Sequence, residues 1–192
     1  MSKNIILCGV GGQGTILASK LISGAAMNKG MAVKSAETIG MAQRGGSVFS
    51  HLRLGEGADC PMIASGCADI IIGFEPGETV RLLPYLKKEG QVIVSTRPVM
   101  PVTAALAGSD YNGSEMLDYI RKKVKRVIAI DTERVCRELG STKIVNLLLL
   151  GAAVKSGALG LDEEDIRKVI LDRIPPKFHE LNFKALEYAK NI

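Results

Sequence analysis

The chain has 192 residues, 46% of them hydrophobic and 23% charged, enough to bury a sizeable core and too apolar for a disordered, collagen-like or coiled-coil protein. Its 25 basic against 20 acidic residues leave a net charge of +5, while aromatics are 4% and tryptophan is absent, a poor composition for stacking nucleic-acid bases. No apolar run reaches the roughly 18 residues of a membrane-spanning helix, so neither nucleic acid nor a membrane is an expected partner.

In chain order, Asn4 to Cys8 is a short apolar run ending in Gly9. It is too short for the apolar region of a secretory leader, about 7–15 residues, and is predicted as a buried parallel strand. Thr15 to Asn28 follows as a helix, with Leu17, Leu21 and Ala25 four apart on one face and Gly30 placed to stop it. Ala32 to Thr38 is a second strand. Ser47 to Leu54 alternates, Val48, Ser50, Leu52 and Leu54 against Phe49, His51 and Arg53, which predicts a strand with one polar face. Ala68 to Phe74 and Gln91 to Thr96 are further buried strands, with a helix from Pro76 to Lys88 between them. Ser114 to Lys125 is predicted as a helix capped by its serine, and Arg126 to Ile130 as a strand. The remainder is helical: Ile144 to Lys155 is apolar nearly all round, Asp162 to Arg173 starts with an acidic turn, and Pro175-Pro176 precedes a last helix holding Leu181, Leu186 and Tyr188. The basic run Arg121-Lys122-Lys123-Val124-Lys125-Arg126 is expected to be a solvated helix end. Strands alternating with helices predict one α/β domain over residues 1–192: an open, mostly parallel, Rossmann-like sheet with helices on both faces and a helical C-terminal part.

Gly9-Val10-Gly11-Gly12-Gln13-Gly14 satisfies G-x-G-x-x-G between a strand and a helix. Glycines permit the sharp turn and the close approach of a ligand to amides at a helix N-terminus, where the dipole favours an anion, and Thr15 would add a hydroxyl. A nicotinamide-binding domain carries an acidic residue at the end of its second strand, and Glu37 stands at about that place. Nothing downstream offers a hydride-transfer site, and His51 and His179, the only histidines, are expected to be structural. The segment after the second strand holds Arg44, a rigid cationic fork for carboxylate or phosphate, and Gly45-Gly46, where backbone can approach a ligand or a neighbouring chain. Asn146, in an apolar helix, is expected to be a satisfied core or interface amide.

Four cysteines, Cys8, Cys60, Cys67 and Cys136, contain no C-x-x-C pair. They predict neither a disulfide framework nor a zinc or iron–sulfur centre; reduced thiols point to the cytoplasm. Cys8, Cys60 and Cys67 have no placeable base beside them and are expected to be ordinary buried or loop residues.

NIILCGVGGQG and ETIGMAQRGGSVFSHLRLG, with the later NLLLLGAAVKSGAL, resemble the small gamma-type subunit of 2-oxoacid:ferredoxin oxidoreductases, and within that family the beta subunit of the indolepyruvate type. The likeness spans essentially the whole chain, and GVGGQG together with AQRGGSV is more specific than the glycine motif alone. It implies an accessory subunit, inactive by itself, of an enzyme that oxidatively decarboxylates aryl-2-oxoacids to aryl-acetyl-CoA and carbon dioxide. Coenzyme A is the implied co-substrate, and electrons pass to ferredoxin through the complex. Thiamine diphosphate with its magnesium, and the iron–sulfur clusters, are implied in a large partner subunit; the G-D-G start of a thiamine diphosphate segment is absent here. Carried onto matching positions, Gly11, Gly12, Gln13, Gly14 and Thr15 would face the cofactor or substrate, with Arg44, Gly45, Gly46 and Ser47 beside them. A self-contained NAD(P)-dependent dehydrogenase and a non-catalytic scaffold remain the alternatives.

Overall fold

The computed structural model describes residues 2–37, 45–57, 59–100, 108 and 110–191. Strand β1 (Lys3–Val10) leads through helix α1 (Thr15–Asn28) to β2 (Val33–Glu37), followed by β3 (Ser47–Leu54), β4 (Ala68–Gly73), α2 (Pro76–Leu82), β5 (Leu86–Ser95), α3 (Ser114–Lys123) and β6 (Arg126–Ile130). Four helices close the chain: α4 (Thr132–Leu139), α5 (Val145–Lys155), α6 (Glu163–Arg173) and α7 (His179–Tyr188). The strands form one sheet in the order β2-β3-β1-β4-β5-β6. Strands β1, β4, β5 and β6 pair in parallel, and β3 runs antiparallel to both β1 and β2.

Alternation along β1 sends its side chains to two different cores. Ile5 and Leu7 join Leu52, Ile70, Ile72, Phe74 and Ile93 against α1 and the C-terminal helices. Ile6 and Cys8 join Ile71, Val92, Val94, Leu82 and Ile120 against α2 and α3. Phe74 is fully buried, and covering such a side chain stabilises the fold by about 1.5–3 kcal/mol. Helix α5, apolar all round, buries all of Leu147 to Leu150, as a helix without a polar face must. The helices do flank both faces of a mostly parallel sheet, as the strand–helix alternation predicts.

Several local expectations are corrected. The helix from Pro76 ends at Leu82, because Pro84 cannot continue it; a 3₁₀ turn at Leu83–Tyr85 intervenes, and β5 begins at Leu86. Ser114 does not cap α3: its hydroxyl and amide both donate to Asn112 Oδ1, at 2.6 and 3.0 Å, and Gly113 holds the cap position. Strand β3 alternates as expected, with Val48, Ser50, Leu52 and Leu54 buried and Phe49 and Arg53 half-buried, but His51 on that second face is as buried as Leu52. Helix α4, not singled out in the sequence, is capped by Asp131, which accepts from Arg134 N at 2.9 Å. The basic run does end a helix, with Arg121, Lys122 and Lys123 exposed in the last turn of α3, where the dipole favours cations. No helix among the described residues is long and apolar enough to cross a membrane.

Candidate functional site

Chain order places the switch point of the sheet between β1 and β4: the chain leaves β1 toward β2 on one side and β4 toward β5 on the other. Helices α1 and α2 depart to opposite faces there, opening the crevice in which open α/β sheets bind ligands. Gln13 bridges the crevice. Its Oε1 accepts from Val10 N at 2.7 Å and its Nε2 donates to Phe74 O at 3.0 Å, so both ends of the amide are used by backbone. Gly9 makes room for this bridge: a Cβ there would lie 2.6 Å from Gln13 Oε1 and 2.7 Å from Phe74 Cβ. The side chain of Gln13 therefore braces the loop.

Gly14 is the N-cap of α1 with φ 87°, no side chain caps the helix, and no acidic residue lies in its first turn. Thr15, its first residue, is buried. The two motif segments meet. Gly11 N donates to Gly46 O at 2.8 Å, Gly45 N donates to Gly11 O at 3.4 Å, and Val10 pairs with Ser47 in the ladder. Arg44 lies outside the described residues. Ser47 is turned to a different task, donating to Glu78 Oε2 at 2.5 Å.

A cavity of about 400 Å³ opens at the carboxyl ends of β1, β4, β5 and β6. Gly12, Gln13 and Gly14 form one wall, Ser95, Arg97 and Thr132 another, and Lys143, Val145 and Asn146 a third. Ser95 and Thr132, both buried, share a hydroxyl–hydroxyl bond of 2.7 Å, and Arg97 N donates to Ser95 Oγ at 3.2 Å. Asn146 is only half satisfied: Oδ1 accepts from Leu147 N at 3.0 Å, whereas its NH₂ abuts Gly14 and donates to no described residue. A second cleft of about 490 Å³ adjoins this cavity and shares Arg97, Thr142 and Lys143 with it.

Beside the crevice, the start of α2 gathers two buried carboxylates. Glu75 Oε2 accepts from Glu78 N at 2.8 Å and Oε1 from the Tyr111 hydroxyl at 2.5 Å. Burial and the bond to Glu75 both push the Tyr111 phenol above its ordinary range. Cys8 is fully buried, and desolvation raises its thiol far above the usual value, so it is no nucleophile. His51 is structural: Nδ1 accepts from Ile63 N at 3.1 Å, and the ring lies edge-on to Phe49 and Tyr85, each 5.5 Å away. Its Nε2 is buried without a hydrogen-bond partner, and burial holds its pKa down.

Sequence reasoning missed Ser95, Arg97, Thr132 and Lys143. The available signal was position: STRP ends a buried strand at the carboxyl edge, and STK immediately precedes the apolar helix. Glu37 does not occupy the ribose-binding place of a dinucleotide fold. Strand β3 lies between β1 and β2, so Glu37 stands two strand spacings, about 9.5 Å, from the strand that carries the glycine loop. Among the described residues no three His, Cys, Asp or Glu side chains gather, and the cysteines divide into buried Cys8 and Cys136 and exposed Cys60 and Cys67. These residues do not fit an iron–sulfur cluster or a diphosphate-bound magnesium.

Comparison with known proteins agrees with the fold and the motifs. The chain is 38% identical over 189 residues to the indolepyruvate oxidoreductase subunit IorB of Thermococcus kodakarensis, covering 96% of this chain and 92% of that one. Among solved structures, pyruvate oxidoreductase subunit PORC of Thermotoga maritima superposes with a TM-score of 0.71 at 22% identity, over 99% of this chain and 96% of that one. The 2-oxoglutarate:ferredoxin oxidoreductase of Magnetococcus marinus gives 0.76 at 19% identity, over 99% of this chain but 30% of that larger one. Residues 4–192 match the pyruvate ferredoxin/flavodoxin oxidoreductase family, and the chain belongs to that family as a small, gamma-type subunit of a 2-oxoacid:ferredoxin oxidoreductase.

Proposed function

We propose that this chain is the small subunit of an indolepyruvate-type enzyme, which converts an aryl-2-oxoacid and coenzyme A to aryl-acetyl-CoA and carbon dioxide and delivers the electron pair to ferredoxin. The observation that carries this is the junction of the two motif segments, Gly11 bonded to Gly46 and Val10 paired with Ser47, at the carboxyl edge of the switch point. Identity of 38% to an indolepyruvate oxidoreductase subunit supports the substrate class. The described residues gather no cluster or metal set; thiamine diphosphate, its magnesium and the iron–sulfur clusters belong to a large partner subunit in this reading.

Residues 1–192 act as one unit that closes over the partner. Gly11, Gly12, Gly14 and Thr15, with Arg44, Gly45 and Gly46, form the edge beside the bound cofactor or coenzyme A; Gln13 and Ser47 hold that edge in shape through Phe74 and Glu78. The four unpaired cysteines fit a reducing cytoplasm.

Co-expression with the large subunit encoded in the same genome tests the proposal. A stable complex that reduces viologen or ferredoxin with indolepyruvate and coenzyme A, and that falls silent without this chain, is the expected result. Indolepyruvate oxidation by the isolated chain, or failure to form any complex, would refute it.

A further inference from the structure

The excess positive charge of the chain is gathered at one corner of the fold, on the amino edge of the sheet. Parallel pairing sets Gln91 of β5 beside Arg126 of β6, which brings Lys87 and Lys88 next to the run from Arg121 to Arg126. Lys125 reaches Glu89 across this junction at 3.3 Å, although 36 residues separate them in sequence. Residues 86–90 and 118–126 hold seven cations against two carboxylates, Glu89 and Asp118, an excess of five that equals the net charge of the entire chain. All seven cations are exposed. Arg121 pairs with Asp118, Lys125 with Glu89 and Lys87 with Asp69, and Lys123 lies over the Tyr119 ring. Lys88, Lys122 and Arg126 have no carboxylate partner among the described residues. The dipole of α3 accounts for cations in its own last turn. It does not account for Lys88 on β5 or Arg126 on β6, which the sheet register brings to the same surface.

The patch is poor in apolar surface. Of the large hydrophobic side chains exposed among the described residues, only Tyr119 lies in these two segments. Permanent subunit interfaces are apolar at their centre and depleted in lysine, whereas brief encounters between redox partners are small, polar and steered by charge. Interspersed carboxylates and a single exposed ring argue against a nucleic acid, which calls for a continuous cationic track or stacking platforms. We propose that this amino-edge patch docks a small acidic electron carrier of the ferredoxin class, with Lys88, Lys122 and Arg126 meeting its carboxylates. The patch lies about 13 Å along β6 from the carboxyl edge, so docking leaves the crevice and the glycine loop free. That the acidic partner is an electron carrier rests on the subunit reading: it is the protein that such a complex must bind and release in every turnover.

The test compares two electron acceptors in the complex reconstituted with the large subunit. One variant combines Lys88→Gln, Lys122→Gln and Arg126→Gln, all at exposed positions; a second combines Lys88→Glu, Lys122→Glu and Arg126→Glu. With the acidic ferredoxin encoded in the same genome, the neutral variant is expected to lower kcat/KM about tenfold at low salt, through KM, the lower end of what electrostatic steering supplies. The reversed variant should lower it further. Added salt should narrow the difference, because at roughly 0.15 M it screens exposed charges beyond about 8 Å. Methyl viologen, a small cation with no acidic docking face, should be reduced equally by all three complexes. An unchanged KM for ferredoxin in both variants, or equal losses with both acceptors, would overturn the proposal. So would variants that no longer assemble, since the patch would then hold the large subunit, or a duplex oligonucleotide bound at roughly 0.15 M salt and lost in the reversed variant. An unmodified complex that never reduces viologen sinks the subunit reading and this docking with it; one that reduces viologen while its ferredoxin kinetics ignore the patch sinks the docking alone.

Discussion

Gln13 separates a ligand-facing glycine loop from a braced one. Its amide makes two bonds to backbone, 2.7 Å from Val10 N and 3.0 Å to Phe74 O, linking the ends of β1 and β4 beyond the backbone bond of Phe74 N to Cys8 O. Gln13→Ala leaves one donor and one acceptor, both partly buried, without partners. At about 1–1.5 kcal/mol each the loss comes to about 2–3 kcal/mol, which for a chain of this length lowers Tm by about 5–10 °C. Gln13→Glu sharpens the test, because it keeps the acceptor for Val10 N and sets an oxygen against Phe74 O. At neutral pH it is expected to be at least as damaging as alanine. Acidification should restore part of the loss, since a protonated carboxyl can again donate to Phe74 O. Thermal unfolding of the three proteins at two pH values is the assay. A Gln13→Ala protein with an unchanged Tm but abolished turnover in the complex would show that the amide is spent on a ligand and that the bracing role is wrong.

Four further outcomes follow from the same geometry. Gly14→Ala places a Cβ at φ 87° and 3.3 Å from Asn146 Nδ2, and is expected to cost about 1–2 kcal/mol in urea unfolding. Ser47→Ala leaves the buried Glu78 carboxylate with Arg81, at 3.5 Å, as its remaining side-chain partner among the described residues, and should destabilise by about 1–3 kcal/mol. In Tyr111→Phe, Glu75 Oε1 and Gly77 N both lose the phenol, and spectrophotometric titration should lose a tyrosine that ionises above the free phenol's pKa of about 10. For His51 the folded imidazole has a lowered pKa, so below about 6.5 the unfolded chain takes up the proton first and stability falls as the pH drops. Tm that stays flat from pH 7 to pH 5 would contradict this.

What the sequence made legible was set by local rules. Helix α1 and strands β3 and β6 have the boundaries that periodicity predicts, because helix and strand spacing are properties of adjacent residues. Strand order is not such a property. Nothing between Ser47 and Leu54 states that this strand inserts antiparallel between β1 and β2, and that insertion removes Glu37 from the glycine loop. The burial of His51 on the second face of β3 was hidden for the same reason: Tyr85 and Ile63, remote in sequence, pack against it. Within the site, the glycine loop and the Gly45–Ser47 segment were recognisable as motifs, while Arg97 and Lys143 acquire meaning only when β5 and the turn before α5 are brought to one edge.

The inserted strand also explains how one glycine loop can serve a subunit and not a dehydrogenase. In a dinucleotide fold the second strand lies against the first, and its terminal acid holds the ribose while the loop holds the diphosphate. Here β3 takes that neighbouring place and brings Gly45, Gly46 and Ser47 against the loop. The edge that would have gripped a ribose becomes a strand entry bonded to Gly11 and tied to α2 through Ser47 and Glu78. What remains on the other flank is a cavity lined by Gly12, Gly14, Arg97, Lys143 and Asn146. In the proposed subunit reading, the chemistry on a 2-oxoacid comes from groups on the partner, and the edge built by Gly11, Gly46 and Ser47 is the part of this chain that lies beside it.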